Sequence, residues 1–188
     1  MSCIINASTS AGLVNTADTS GSIALQANGT TIATISSTGL TMNSGNIVQA
    51  SSAAPAFFAY SNTGQSVGSG VTAKVALQAK LFDTASCFDN TTNYRFTPTV
   101  AGYYQLNVSA NMGITGRNAL YIYKNGVNYQ TVVDFNAQTW QLSGSALVYA
   151  NGTTDYFEFY VYLGTGSTLS SGTNPYLTSF SGSMVRSA

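Results

Sequence analysis

The clearest alternation of apolar and polar residues in the chain spans residues 104–110. There Tyr, Leu, Val and Ala alternate with Gln, Asn and Ser, the period of two that puts one face of a β-strand in the interior and the other in water. Pro98 and Gly102 precede this run. Proline fixes φ, and glycine takes conformations closed to residues with a Cβ, so a sharp turn into the strand is expected. The pattern predicts a buried strand of a β-protein.

The same period recurs in residues 156–163. Phe, Phe, Val and Leu occupy one face, which belongs in a sandwich core, and three tyrosines occupy the other. Two more tyrosines lie similarly opposite Leu120 and Ile122. Aromatic side chains with a polar tip are enriched at interfaces, so the sequence predicts a subunit interface, with an amphipathic outer face as the alternative. The predicted interface residues are Tyr121, Tyr123, Tyr156, Tyr160 and Tyr162.

Further strands are expected on both sides of the central one. They are residues 56–60, 74–78 and 81–83 before it, and residues 118–124, 129–133 and 140–149 after it. The Asn125-Gly126 pair predicts a hairpin turn, and residues 84–94 are expected to form a loop.

The N-terminal region predicts a small β-hairpin. Residues 22–27 alternate, Asn28-Gly29 is a strong two-residue turn signal, and a β-branched run follows at 30–35. Such a hairpin is marginal in water by itself, so we expect it to pack against copies of itself or against a larger particle. The expected anchor residues are Ile23, Leu25, Ile32, Ile35 and Leu40. Residues 21–36 resemble segments near the start of bacteriophage fibre and virion surface proteins; a flexible leader is the alternative.

A linker is expected at residues 49–54, ahead of Pro55, where aromatic and charged residues begin to appear. The predicted organisation is therefore an attachment and trimerisation segment at 1–54 and one domain at 55–188.

Charge and composition narrow the function classes. Six basic and six acidic residues in 188 provide no cluster of Lys and Arg for phosphates or for a membrane surface. No run of about 18 apolar residues could span a bilayer, and residues 1–6 lack the pattern of a secretory signal. Neither nucleic acid nor a membrane is predicted as a partner.

The chain has no histidine, which excludes Ser-His-Asp and Cys-His nucleophile systems and the usual zinc sites. Its six acidic residues are scattered in turn-like contexts. No enzyme activity, metal or cofactor is predicted. Cys3 and Cys87 are either two unpaired thiols or a disulfide.

Several blocks together resemble the C1q-like domain. The central signature of that family is a Phe, five residues, a Gly, any residue and a Tyr, and it is matched by Phe96, Gly102 and Tyr104. A block at 56–60 before the signature and blocks at 118–126, 143–147 and 179–185 after it occur in the family's order. Two features depart from the family's pattern. Phe88 lies eight residues before Phe96 rather than seven, and two threonines separate Asp155 from Gly152, whereas the family usually has Gly-Asp directly before this strand. The resemblance implies a jelly-roll β-sandwich that associates as a homotrimer. The acidic cluster of calcium-binding members is not recognisable.

Two Gly-rich stretches, 113–116 and 164–167, lack the spacing of phosphate loops and are expected to be hairpin tips. Exposed loops are where ligand contacts usually lie. The candidate contacts with a host receptor or glycan are Asn90, Asn93, Thr165, Ser167 and Asn174.

Together these features predict a homotrimeric virion structural protein of a bacteriophage, on the virion surface and assembled in the host cytoplasm. It would decorate or cement the capsid or form a short fibre, with major capsid or tail proteins as partners. The alternatives are a receptor-binding tail fibre or spike tip and, third, a secreted C1q/TNF-like ligand or lectin.

Overall fold

A computed structural model describes residues 21–42, 54–170 and 177–188. Every regular element in these ranges is a β-strand, so the predicted all-β class is confirmed. Within the same ranges, no helix is long and apolar enough to cross a membrane. The chain divides into two compact units, Met1–Ala50 and Ser51–Ala188. The roles assigned to 1–54 and 55–188 stay predictions.

The N-terminal unit contains a three-stranded antiparallel meander. β1 (Ile23–Ala27) pairs with β2 (Thr30–Ser36), which pairs with β3 (Gly39–Met42). Between β1 and β2, Asn28 and Gly29 both have positive φ, 49° and 74°, as a two-residue type I′ turn requires. The predicted hairpin is confirmed, and β3 extends it.

Most apolar side chains of this meander are uncovered. Ala33 is the buried residue among those described here, and the five predicted anchor residues are half-buried or exposed. Because folding of the meander removes little apolar surface from water, packing within the meander contributes little to its stability.

The C-terminal unit is a sandwich of antiparallel sheets. Its strands are β4 (Ala56–Tyr60), β5 (Gln65–Val67), β6 (Val71–Lys74), β7 (Ala79–Asp83), β8 (Phe88–Asp89), β9 (Arg95–Phe96), β10 (Gly102–Ile114), β11 (Arg117–Lys124), β12 (Val127–Asn136), β13 (Thr139–Ala150), β14 (Phe157–Leu163), β15 (Ser167–Leu169) and β16 (Ser179–Ser187). The five-stranded sheet has the order β13-β10-β16-β4-β7. The six-stranded sheet has the order β12-β11-β14-β9-β8, with β6 also paired to β14, and β15 pairs with β5.

The core lies between the two large sheets and is rich in phenylalanine. Phe57 stacks on Phe96 with ring centroids 4.4 Å apart and on Phe88 at 5.0 Å, and it meets Phe180 edge-on at 5.0 Å. All four rings are buried. Each fully buried ring of this size contributes roughly 1.5–3 kcal/mol, so this cluster ties the first and last strands of the sandwich to its middle.

The central strand β10 is buried on the predicted face. Tyr104 is fully buried and its hydroxyl donates to the carbonyl of Val100 at 2.6 Å, while burial raises the pKa of Tyr104 to about 12. Gly102 is needed for a reason other than the predicted one, because its φ is not positive. A Cβ at this position would lie 2.4 Å from the carbonyl oxygen of Arg186, so the glycine permits a close approach of β16.

Two expectations about local structure are wrong. Residues 75–78 belong to no strand, although Val75 and Leu77 are buried. The Val75 amide donates to the Phe159 carbonyl and the Ala76 amide to the Gln65 side chain, so these backbone groups do not form a ladder. In addition, the predicted 84–94 loop contains β8.

The spacing of eight residues between Phe88 and Phe96 is accommodated directly, because the two residues pair across β8 and β9. Cys87, just before β8, is a buried free thiol whose Sγ donates to the Ala85 carbonyl. Cys3, its partner in the disulfide alternative, lies outside the described residues.

Candidate interaction surfaces

The predicted interface tyrosines lie together on the outward face of the six-stranded sheet. Tyr121 pairs with Tyr160 across β11 and β14, and Tyr162 and Tyr123 occupy the neighbouring outward positions. We call this set, with Tyr156 and Glu158, the tyrosine face.

Contacts within one chain cover much of the tyrosine face. Tyr123 stacks on Tyr160 with centroids 3.9 Å apart and planes at 18°. Tyr121 meets Tyr123 edge-on and is only 8% exposed. Burial raises the pKa of Tyr121 and Tyr160 above the usual value, so both phenols stay neutral near pH 7.

Basic side chains cover further parts of this face. Lys74 Nζ lies 2.6 Å from the buried Glu158 carboxylate. The Arg95 guanidinium lies 4.3 Å from the centroid of the Tyr156 ring. At the other end, the Arg117 guanidinium lies 5.0 Å from the Tyr162 centroid. Ring faces already covered by cations offer less surface to a partner.

The outward face of the five-stranded sheet is different. β-Sheet register places its outward side chains in rows that run across all five strands. We call this the five-strand face; its members are Tyr103, Gln105, Asn107 and Ser109 of β10, Ser143, Ser145, Leu147 and Tyr149 of β13, Ser179, Ser181 and Ser183 of β16, Phe58 and Tyr60 of β4, and Phe82 of β7.

One end of the five-strand face is apolar and open. Leu147 is 59% exposed, and Tyr103 and Tyr149, directly paired with ring centroids 5.5 Å apart, are 44% and 40% exposed. The two tyrosines line a depression of about 420 Å³ together with Arg186 and the last two residues. Large apolar side chains gathered at this exposure are typical of interaction surfaces.

The middle of the five-strand face is a shallow depression of about 390 Å³, lined by five serines together with Phe58, Asn107, Val108 and Gly144. Asn107 and Ser181 are paired neighbours there, and Phe58 forms one wall. The Gln141 side chain donates to Ser109 Oγ at 2.9 Å. The floor carries no charged side chain, so covering it would require no desolvation of an ion.

The sequence pattern contained a signal for this surface that the prediction missed. In residues 140–149, Leu147 and Tyr149 occupy the outward positions of an alternating strand, just as the three tyrosines do in residues 156–163. Sequence alone did not distinguish rings that their own chain covers from rings that it leaves exposed.

Of the candidate contact residues Asn90 and Asn93, which follow β8, Asn93 lies beside the Asp89 carboxylate. The Asn93 amide and side chain donate to Asp89, and the Asn90 side chain donates to the Gln78 carbonyl. Hydrogen bonds from the backbone amides of Thr92 and Thr91 hold the pKa of Asp89 well below its usual range. These groups stabilise the loop itself, so their role as ligand contacts stays a prediction.

The second group of candidate contacts is divided. Thr165 is exposed in the connection after β14 and donates to the Thr115 carbonyl. The expectation that Ser167 lies at a hairpin tip is wrong. Its backbone is extended in β15, where it pairs with Val67 of β5. Asn174 lies outside the described residues.

Chemical groups that could hold a metal ion are dispersed. Among the described residues, no three His, Cys, Asp or Glu side chains form a cluster. The carboxylates serve local structure: Asp155, for example, accepts from Asn125 and the Asn151 amide and pairs with Lys124 at 2.8 Å.

Comparison with known proteins identifies the fold. No protein-family model and no curated protein matches the chain. Among solved structures, the globular domain of zebrafish complement 1qA protein matches with a TM-score of 0.52 and 22% identity, over 72% of this chain and 99% of that one. Murine APRIL matches at 0.52 and 11%, over 70% and 99%. Eiger TNF from S. frugiperda matches at 0.51 and 11%, over 72% and 93%.

The chain therefore has the C1q/TNF-type jelly-roll fold that its motifs predicted. These identities show the fold alone, because one fold carries many functions.

Proposed function

We propose that this chain is a non-enzymatic structural protein of a bacteriophage virion, a homotrimer whose subunits meet at the five-strand face. The observation that carries self-association is the exposure of Leu147, Tyr103 and Tyr149 together at one end of that face. Aromatic and aliphatic side chains next to a neutral polar floor match the composition of association surfaces. The number three comes from the C1q-like resemblance.

The five-strand face suits this role better than the tyrosine face. A partner gains free energy by covering apolar surface that is still in water. Leu147 offers such surface, whereas Tyr121 is nearly covered in a single chain. The tyrosine face remains the alternative interface, and the experiments below separate the two.

The meander β1–β3 supports an attachment role for the N-terminal segment. Its apolar side chains, including Leu25, Ile35 and Leu40, are exposed, and a meander this small gains stability when another surface covers them. We propose that they pack against other copies of the segment or against other virion proteins, such as the major capsid or tail proteins.

The virion role rests on residues 21–36, which resemble segments of phage fibre and virion surface proteins. We propose that the protein decorates or cements the capsid at the virion surface or forms a short fibre. A receptor-binding fibre or spike tip is the second function, and a secreted C1q/TNF-like ligand or lectin is the third.

Light scattering coupled to size-exclusion chromatography tests the assembly. The intact chain should have about three times the 19.6 kDa mass of one subunit. A monomer at micromolar concentration would contradict the trimer.

Binding to purified phage particles tests the virion role. We expect the protein to bind capsids that lack it and to appear at the virion surface by immunogold labelling. Binding to host cells but not to particles would favour the adhesive function, and binding to neither would favour the secreted ligand.

A further inference from the structure

The apolar residues of the N-terminal meander lie in register on one side of its sheet. Ile35 on the middle strand pairs with Ile23 of β1 and with Leu40 of β3. Two positions earlier on the middle strand, Ala33 pairs with Leu25. Paired residues of antiparallel strands, and residues two apart in one strand, point to the same side of a sheet. We call the side formed by these five residues the meander face.

Most of the meander face is in water. Leu25, Ile35 and Leu40 are 42%, 44% and 53% exposed, whereas the small Ala33 is buried. Ile32, another of the expected anchor residues, lies at a bulge in the β1–β2 pairing and has no partner there. A sheet with one apolar face needs a second layer to remove that face from water.

The opposite side of the sheet is rich in hydroxyl groups. There Thr34 pairs with Thr41, and the Gln26 side chain donates to Thr31 Oγ1 at 3.2 Å. None of residues 21–42 is charged. Hydroxyl and amide groups can stay hydrated, so a partner layer is expected on the meander face alone.

We propose that the meander faces of the three copies in one homotrimer cover one another. This contact rests on the proposed homotrimer and names the partner of the anchor residues, for which the proposed function leaves other virion proteins open. Each copy buries its aliphatic side chains and keeps its hydroxyl-rich side in water. Cyclic symmetry places the same face of every copy around one axis, so no meander face is left uncovered.

The small size of the meander face argues for a partner that is already held nearby. A stable interface between two separate proteins buries about 800 Å² of each, and three half-exposed aliphatic side chains supply only a small part of that area. Tethering raises the effective concentration of a partner to the millimolar range, so a small contact is enough. Within the proposed homotrimer the meanders are tethered in this way, because only residues 43–55 separate β3 from β4 of the C-terminal unit.

The chemistry of the meander face also fits an identical partner. Its side chains carry no charge and neither donate nor accept hydrogen bonds, so they offer no polar contact by which a different protein would be recognised. Contact between aliphatic faces depends on removing apolar area from water, and each copy brings the same area.

Photocrosslinking of the full-length chain tests the proposal. The photoreactive amino acid p-benzoylphenylalanine would replace Leu40 on the meander face in one protein and Thr41 on the hydroxyl-rich side in a matched control. The two residues are neighbours on β3, and both are exposed in one chain. Irradiation should link subunits covalently through position 40 and leave monomers from position 41. Equal yields from the two positions, crosslinks from position 41 alone, or none from either would overturn the proposal.

Hydrogen exchange supplies a second readout, which does not depend on the geometry of a crosslink. Leu25→Asp places a carboxylate on the meander face, and we expect amide exchange in residues 21–42 to accelerate about tenfold or more, because the meanders separate. Thr41→Asp places the same charge on the hydroxyl-rich side and should leave exchange slow. Similar exchange in the two variants would contradict the proposed contact.

The mass of the assembly separates this proposal from the proposed function. Trimers of the unmodified chain without crosslinks through position 40 would overturn the meander contact and leave the homotrimer standing, whereas monomers would overturn both. The same irradiation on phage particles tests the remaining partner. Crosslinks from position 40 to a phage protein, and not to a second copy, would assign the face to another virion protein and overturn the proposal.

Discussion

Both outward faces of the sandwich carry tyrosines, but contacts within one chain cover the tyrosine rings on only one face. On the tyrosine face, Tyr123 and Tyr160 stack at 3.9 Å and Arg95 covers Tyr156. On the five-strand face, Tyr103 and Tyr149 touch each other but remain two-fifths or more exposed beside Leu147. The difference shows that aromatic content alone does not mark an interface; what matters is the surface left uncovered.

The same contrast applies to charge. Glu158 is buried on the tyrosine face and needs Lys74 as a partner. The depression on the five-strand face is lined by serines, Asn107, Val108, Gly144 and Phe58, none of which is charged. Loss of Lys74 would leave the buried Glu158 carboxylate unpaired, which is costly, whereas a floor without charged side chains can be covered by another subunit without desolvating an ion. The tyrosine face thus makes its contacts within one subunit, and the five-strand face is the one suited to association.

The largest effect is expected from a charge on the five-strand face. Leu147→Asp should convert the trimer to monomers, because it places a carboxylate in each copy of an apolar contact. Leu147 is largely exposed in one chain, so the unfolding free energy of the subunit should change by no more than about 0.5 kcal/mol. Light scattering and chemical denaturation measure the two quantities.

The matched control places the same charge beside the tyrosine face. Thr131 is exposed and pairs with Tyr121, so Thr131→Asp should leave the mass unchanged. Dissociation by Thr131→Asp but not by Leu147→Asp would reverse the assignment of the two faces.

A smaller effect is expected from opening the tyrosine face. Glu158→Ala removes the partner of Lys74 and should lower the unfolding free energy by about 2 kcal/mol, with the oligomeric mass unchanged. Urea denaturation followed by circular dichroism measures the loss. Glu158→Gln keeps a hydrogen-bond acceptor and should lose less; equal stability of Glu158→Ala and the unmodified protein would show that the ion pair is not structural.

The smallest effect concerns pH and compares one carboxylate from each sheet. Backbone hydrogen bonds from the β8–β9 loop depress the pKa of Asp89, the last residue of β8, so its stabilising effect is complete above the unfolded pKa near 4 and is lost as the pH falls below it. Asp89→Asn should therefore reduce the drop in melting temperature between about pH 5 and pH 3.

Asp83 on β7 should contribute less to this acid sensitivity. Burial raises its pKa, but hydrogen bonds from the Phe88 and Cys87 amides and from Lys80 outweigh this effect and leave the pKa lowered. Asp83→Asn should accordingly flatten the pH profile less than Asp89→Asn. The opposite order in thermal unfolding scans would contradict this account of the two carboxylates.

The sequence predicted the sandwich because its signals are local and periodic. Three of these signals depend only on neighbours along the chain: the alternation around Tyr104, the Asn28-Gly29 turn and the two different faces of residues 156–163. The C1q-like blocks added the order of the strands, and the structure confirmed the fold.

The remaining features depend on contacts that are distant in sequence. Val75 and Leu77 alternate as in a strand, but the partners of their segment are Phe159 and Gln65. The need for Gly102 arises from Arg186, 84 positions later. Arg95 covers the Tyr156 ring, whereas Leu147 stays exposed on the outward face. Neither outcome can be deduced from the alternation of apolar and polar residues along the chain.

Photocrosslinking at the two faces tests the central claim most directly. The photoreactive amino acid p-benzoylphenylalanine would replace Tyr149 on the five-strand face in one protein and Tyr162 on the tyrosine face in another. After irradiation of the intact assembly, we predict covalent dimers and trimers from the substitution at Tyr149 and only monomers from that at Tyr162. Crosslinked subunits from Tyr162 with none from Tyr149 would contradict the account.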